Sequence, residues 1–142
     1  MGKVMRKFIA GEDREGLDQT RPQKPTILVV DDEPVVRDAL ELVLKSNGYE
    51  VVLVDNGRAG IIEANSRRFA LAIIDLFLSD ISGLHVIKCI KAKQPEFPVI
   101  LMTANGTPRA FAAARRLGVV GILEKPFRPD DVLELITVAL QK

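Results

Sequence analysis

The sequence predicts an α/β domain of (βα)₅ type, a doubly wound five-stranded parallel sheet. Two observations predict it. Five short runs rich in β-branched residues, "TILVVD", "EVVLVD", "LAIID", "PVILMT" and "VGILEK", recur along the chain. They lie roughly twenty to twenty-five residues apart, which leaves room for one crossover helix between each pair. The runs are also apolar almost throughout instead of alternating with polar residues, as strands covered on both faces are.

Each element has its own justification. Residues 1–25 mix charges, hold Gly11, Gly16, Pro22 and Pro25, and show no sustained period. They read as a flexible N-terminal tail, the alternative being a short amphipathic segment around Val4, Met5, Phe8 and Ile9 that docks elsewhere. The folded domain is expected over 26–142. After the first strand, Pro34 suits the first helical position of "VVRDALELVLKSNG", where Val36, Leu40, Val43 and Leu44 form one apolar stripe and Gly48 lies just past the end. Asn56 is placed to cap the second helix and Ser82 the third. Thr107 and Pro108 supply the N-cap and first position of "RAFAAARRLG". Pro129 opens the last helix, with Asp130 and Asp131 suited to its dipole.

Composition narrows the function by exclusion. A chain of 142 residues, 47% hydrophobic and 27% charged, has apolar mass for one core. Twenty basic against nineteen acidic side chains leave a net charge of +1, so no overall field recommends direct binding of nucleic acid or a membrane. One cysteine, Cys89, and one histidine, His85, cannot build an internal disulfide or a His/Cys metal cluster, and a reducing cytoplasm fits best. Cys89 reads as a small packing residue and His85 as a half-packed or solvated one. Arg109, Arg115 and Arg116 read as a solvated helix face. No run reaches the ~18 apolar residues of a membrane span, the N-terminus lacks the apolar core of a signal peptide, and Arg6 stands where a myristoylation signal needs Ser or Thr.

Chemistry concentrates at the strand ends. In an open parallel α/β sheet, ligands bind at the carboxyl ends of the strands, beside the point where strand order reverses. Strand one ends in Asp31 and Asp32, strand three in Asp75, strand four in Thr103 and strand five in Lys125. Carboxylates crowded on one rim repel each other, and a hard divalent cation with oxygen ligands, Mg²⁺, relieves that repulsion. Such a site suits a phosphoryl group, whose other oxygens Lys125 and the Thr103 hydroxyl would hold. Taken singly, each residue has a plainer reading: Asp31 and Asp32 as helix caps, Asp75 as a turn residue, and Glu33 as a residue that only caps the first helix.

The motifs "VVDDEP", "IIDLFLSDISGL", "VILMTA" and "LEKPF" together resemble the receiver domain of two-component response regulators, over residues 26 to about 141. The resemblance implies a flavodoxin-like receiver fold. It makes Asp75 the phosphoacceptor, with Asp32 a direct Mg²⁺ ligand, Asp31 a ligand mainly through water, and the Phe77 main-chain carbonyl a further ligand. It also implies that Lys125 pairs with the phosphoryl group, that Thr103 moves onto it after transfer, and that the Lys125–Pro126 bond is cis. The implied donor is a sensor histidine kinase or a histidine phosphotransfer protein, and the implied output face is the fourth helix, fifth strand and fifth helix, which also leaves room for a homodimer.

Three departures from the family pattern stand out. Ile122 occupies the usual aromatic switch position, Ser79 replaces the usual proline four residues after the acceptor, and Phe77 sets a large ring two residues after it. Two other functions stay open at this point. One is a Mg²⁺-dependent aspartyl-phosphate phosphohydrolase like the haloacid-dehalogenase family, although that family separates its two strand-one acids by a residue. The other is an interaction module of the same fold that is never phosphorylated. Since "VALQK" closes the chain just after the last helix, a stand-alone receiver and the front of a larger regulator are both consistent with it.

Overall fold

A computed structural model describes residues 24–141; the expected tail lies outside them apart from Lys24 and Pro25. Five strands, β1 (Thr26–Val30), β2 (Glu50–Val54), β3 (Leu71–Asp75), β4 (Val99–Thr103) and β5 (Gly121–Glu124), alternate with five helices, α1 (Pro34–Lys45), α2 (Gly57–Ser66), α3 (Gly83–Lys93), α4 (Pro108–Arg116) and α5 (Pro129–Leu140). Every strand pairing is parallel and the order is β2-β1-β3-β4-β5. The doubly wound (βα)₅ sheet expected from the runs is therefore what forms.

Alternation along the strands divides the core into two layers. Leu28, Val30, Ala72, Ile74 and Leu101 face one side, where they meet Ala64 of α2, Val86, Ile87 and Ile90 of α3, and Ala114 of α4. Ile27, Val29, Leu71, Ile73, Ile100 and Met102 face the other, against Leu40 and Leu44 of α1 and Val132 and Ile136 of α5. Each fully buried Leu or Ile contributes about 1.5–3 kcal/mol of burial, so both layers are needed. The continuous apolar strands follow from this, because the three central strands β1, β3 and β4 are covered on both faces.

Local chemistry sets the helix starts. Asn56 Oδ1 accepts from the Ala59 N–H at 2.8 Å, Ser82 Oγ from the Leu84 N–H at 3.1 Å, and Thr107 Oγ1 from the Ala110 N–H at 3.1 Å. Pro34, Pro108 and Pro129 each open a helix, where a missing N–H costs nothing. On α3, Cys89 is half-buried with its Sγ 3.6 Å from His85 Nε2.

Candidate functional site

The winding reverses between β1 and β3: the chain steps outward from β1 to β2, then returns to β3 on the other side. That crevice is where an open α/β sheet holds a ligand, and it places the ends of β1 and β3 side by side. β1 stops because Asp31 turns the chain. Its Oδ1 accepts from the Glu33 N–H at 2.8 Å, a local turn that delivers Pro34 to the start of α1. The Asp31 carbonyl in turn accepts from Arg37 Nη1 at 2.7 Å, which ties the turn to the helix it begins. Asp75 remains within β3, paired in register with Met102. Lys125 follows β5 immediately, its N–H donating to the Thr103 carbonyl at 2.8 Å, and the Lys125–Pro126 bond is cis.

These elements bring the acids and the lysine together. Lys125 Nζ lies 2.9 Å from Asp31 Oδ2, 2.9 Å from Glu33 Oε1 and 3.1 Å from Asp75 Oδ2. The contacts to Glu33 and Asp75 are hydrogen bonds. The contact to Asp31 has the distance of an ion pair but not the angle of a hydrogen bond, so the fully buried Asp31 Oδ2 has charge contact alone. One ammonium thus serves three carboxylates, and Asp32 stands beside them with no share in it.

The imbalance shows in the electrostatics. Burial first, and the neighbouring Asp31 charge second, push the Asp75 carboxyl up to about 6 in spite of Lys125. Burial alone would lower the Lys125 ammonium, but Asp31 and Glu33 at contact distance, with the Asp75 charge, raise it above its ordinary value. Lys125 is therefore charged at any physiological pH, while Asp75 carries unrelieved repulsion.

Asp31, Asp32 and Asp75 each offer a carboxylate oxygen, and those oxygens lie within 4.8 Å of one another. The donor set is all oxygen and anionic, and it includes a buried oxygen without a hydrogen bond. Such a set fits a small hard cation of the Mg²⁺ kind and not a metal that prefers nitrogen or sulfur.

The remaining site residues fall nearby with distinct surroundings. Thr103 is buried, its Oγ1 accepting from the Asn105 N–H at 3.1 Å, so the hydroxyl is engaged by its own loop. Ile122 is half-buried on β5 and packs against the layer shared by α2, α3 and α4. Phe77 is 58% exposed and belongs to neither core layer. Glu33 requires a correction. Read as a residue that only caps α1, it makes no side-chain cap bond and instead reaches across the rim to Lys125, whose ammonium at 2.9 Å is a charged partner that a helix amide is not. Arg37, which holds the Asp31 carbonyl, does not stand out in the sequence, where one turn into α1 it is indistinguishable from a solvated helix residue.

Fold and site together define a small doubly wound α/β domain whose switch-point rim is suited to a divalent cation and an anionic group. Within that class the chain belongs to the response regulator receiver domain family, whose sequence profile matches residues 27–137. Its relatives include the transcriptional regulatory protein FixJ of Bradyrhizobium diazoefficiens, 33% identical over 119 residues, 84% of this chain and 58% of that protein. Another is the transcriptional regulatory protein GlrR of Escherichia coli, 35% identical over 116 residues, 82% of this chain and 26% of that protein. The chain thus spans 58% and 26% of the length of these two relatives. A CheY-like receiver domain protein of Methanospirillum hungatei superposes with a TM-score of 0.81 at 26% identity, covering 83% of this chain and 94% of that one. The receiver domain of the sensor histidine kinase PA1611 of Pseudomonas aeruginosa, solved with magnesium coordinated in its active-site cleft, superposes with a TM-score of 0.76 at 27% identity over 83% and 98% of the two chains. The chain is a signalling domain of two-component systems. Among the described residues, no helix is long and apolar enough to cross a membrane.

Proposed function

We propose that the chain takes a phosphoryl group onto Asp75 from a phosphohistidine of a sensor kinase or phosphotransfer protein in the cytoplasm, and signals through the face of α4, β5 and α5. The observation that carries this reading is the Asp75 carboxylate, buried in the switch crevice, 3.1 Å from Lys125 and grouped with the carboxylates of Asp31 and Asp32. Asp31, Asp32, Asp75 and the Phe77 carbonyl would hold Mg²⁺, which when bound supplies positive charge to the phosphoryl oxygens and relieves the carboxylate repulsion. The Asp75 carboxylate attacks phosphorus in line as the bond from phosphorus to the donor imidazole breaks. The bonding pair leaves on the imidazole nitrogen, which recovers a proton from solvent. Lys125, already held by Asp31 and Glu33, shifts from Asp75 to a phosphoryl oxygen, and the Thr103 hydroxyl releases Asn105 to donate to another. With Ile122 in place of an aromatic ring, this movement reaches the output face through aliphatic packing alone.

Incubation with acetyl phosphate and Mg²⁺ is expected to add the mass of one phosphoryl group to the intact protein, and none in excess chelator. Asp32→Ala is expected to lose both Mg²⁺ binding and phosphorylation, since a site of few carboxylates and several retained waters has little affinity to spare. Uptake that proceeds equally in chelator would overturn the reading.

Phe77 bears on how long the phosphoryl group lasts. Hydrolysis needs a water in line with phosphorus, and a ring at this position can obstruct that water but not orient it. Phe77→Asn is expected to shorten the lifetime, with Phe77→Ala between it and the wild type. Decay after donor removal, followed for the three proteins in parallel at constant Mg²⁺, checks this; equal rates would retire the obstruction account.

A further inference from the structure

Asp80 lies in the loop between β3 and α3 and is exposed, yet both of its carboxylate oxygens are engaged. Oδ1 accepts from the Gly57 N–H at 2.8 Å and Oδ2 from the Arg58 N–H at 2.9 Å. These are the first two residues of α2, 23 and 22 positions earlier in the chain. A helix leaves its first amides without internal partners. Asn56, the local cap, takes only the Ala59 N–H, and Asp80 reaches from another element to take the two before it. Those bonds, Arg58's foremost, hold the Asp80 carboxyl below the ordinary carboxylate value.

The neighbouring packing fastens the same loop. Gly57 is buried, and a Cβ there would lie 2.6 Å from Ile81 Cγ1 and 2.8 Å from Val86 Cγ2, so the loop rests directly on the α2 backbone. At the base of the loop the Gly83 N–H donates to the Leu76 carbonyl at 2.8 Å. At the far end of α2, Gln94 Nε2 donates to the Ala64 carbonyl at 3.0 Å. The segment 77–82 is thus closed at its base and pinned along its outer side to a helix that is itself held at both ends.

We propose that Asp80 is a positioning residue for the metal site: by clamping this loop to the N-terminus of α2, it holds the Phe77 carbonyl where a cation on Asp31, Asp32 and Asp75 takes it as a ligand. The inference rests on the Mg²⁺ reading above. Ser79, beside Asp80, offers no ring to stiffen the loop, which leaves its outer side to the two Asp80 bonds and the packing of Ile81 on Gly57. Losing a group that orients a ligand without touching the metal commonly costs about ten- to a hundredfold in metal affinity.

The test is a Mg²⁺ titration of the full chain followed by amide chemical shifts, with urea denaturation of each variant showing that it is folded under the same conditions. Asp80→Ala is expected to weaken Mg²⁺ binding about tenfold. Asp80→Asn keeps one accepting oxygen and is expected to fall between; it carries the same test if the alanine variant does not fold. Loss of a helix cap alone would lower the urea midpoint and leave the affinity of the folded protein unchanged, so wild-type affinity in Asp80→Ala overturns the positioning role. Asp32→Ala, titrated in parallel, separates the two claims: wild-type affinity there overturns the metal site itself, and the role of Asp80 with it.

Discussion

Asp75→Asn is expected to take up no phosphoryl group and, in chelator near neutral pH, to melt above the wild type. Loss of uptake follows from the nucleophile, since a carboxamide oxygen does not attack phosphorus in place of a carboxylate. The gain in stability follows from the crowding. Burial and the Asp31 charge raise the Asp75 carboxyl from 3.8 to about 6, so the folded protein holds that proton more tightly than the unfolded chain does. The associated stability is present below pH about 4 and is lost as pH rises through about 6. Asparagine keeps the shape without the charge, while Lys125 keeps Asp31 and Glu33 as partners.

Undiminished, such a shift would be worth about 3 kcal/mol; relaxation and water entry around the charged Asp75 offset part of it, and the expected gain is on the order of 1 kcal/mol, or about 4 °C in melting temperature. Melts in chelator should therefore show a gap near neutral pH that closes near about pH 4. Added Mg²⁺ should reverse it, because an ion that binds the folded wild type alone stabilises it by mass action. A variant that still gains phosphoryl mass would move the acceptor elsewhere. One that melts below the wild type in chelator would mean that Lys125 outweighs the repulsion.

Strand-level features were legible because they are local and redundant. "LAIID" reads as a buried strand from five residues alone, and the caps at Asn56, Ser82 and Thr107 announce themselves within three positions of the amides they serve. The grouping of Asp31, Asp75 and Lys125 was legible one step further, since parallel topology obliges every strand end to meet on one rim. Pairings made by exposed side chains across long sequence distances were not. Glu33 reaches Lys125 across 92 positions and Asp80 reaches α2 across 23. Neither has a local signature, because both choices depend on how two loops pass each other in the folded chain. Glu33 illustrates the point: it stands at the N-cap position of α1, yet its carboxylate takes the charged Lys125 ammonium across the rim in place of a helix amide.

Gly83→Ala is expected to cost about 3 kcal/mol or more, although alanine is the better helix former by about 1 kcal/mol in an exposed helix. Gly83 opens α3 and is buried against the end of β3. A Cβ there would press on the Asp75 carbonyl oxygen and sit 2.9 Å from both the Asp75 carbonyl carbon and the Leu76 Cα. All three are backbone atoms of the chain that carries the acceptor, so no side chain can swing aside to make room. Relief requires α3 to slide outward, which opens gaps around Val86, Ile87 and Ile90 in the core, or the end of β3 to shift, which moves Asp75 from Lys125 and the carboxylates beside it. Gly48 is the control. Its φ of +91° strains any side chain, but nothing lies within 4 Å of an added Cβ, so Gly48→Ala should cost only about 1 kcal/mol through backbone strain. Urea midpoints for the two variants, read with their slopes, test the ranking, and phosphoryl uptake by whatever fraction of Gly83→Ala folds tells which element yields. Unimpaired uptake with lower stability means that α3 moved, and impaired uptake means that β3 did. A Gly83→Ala protein as stable as the wild type would show that the close approach of α3 to the acceptor strand is not a constraint of this fold.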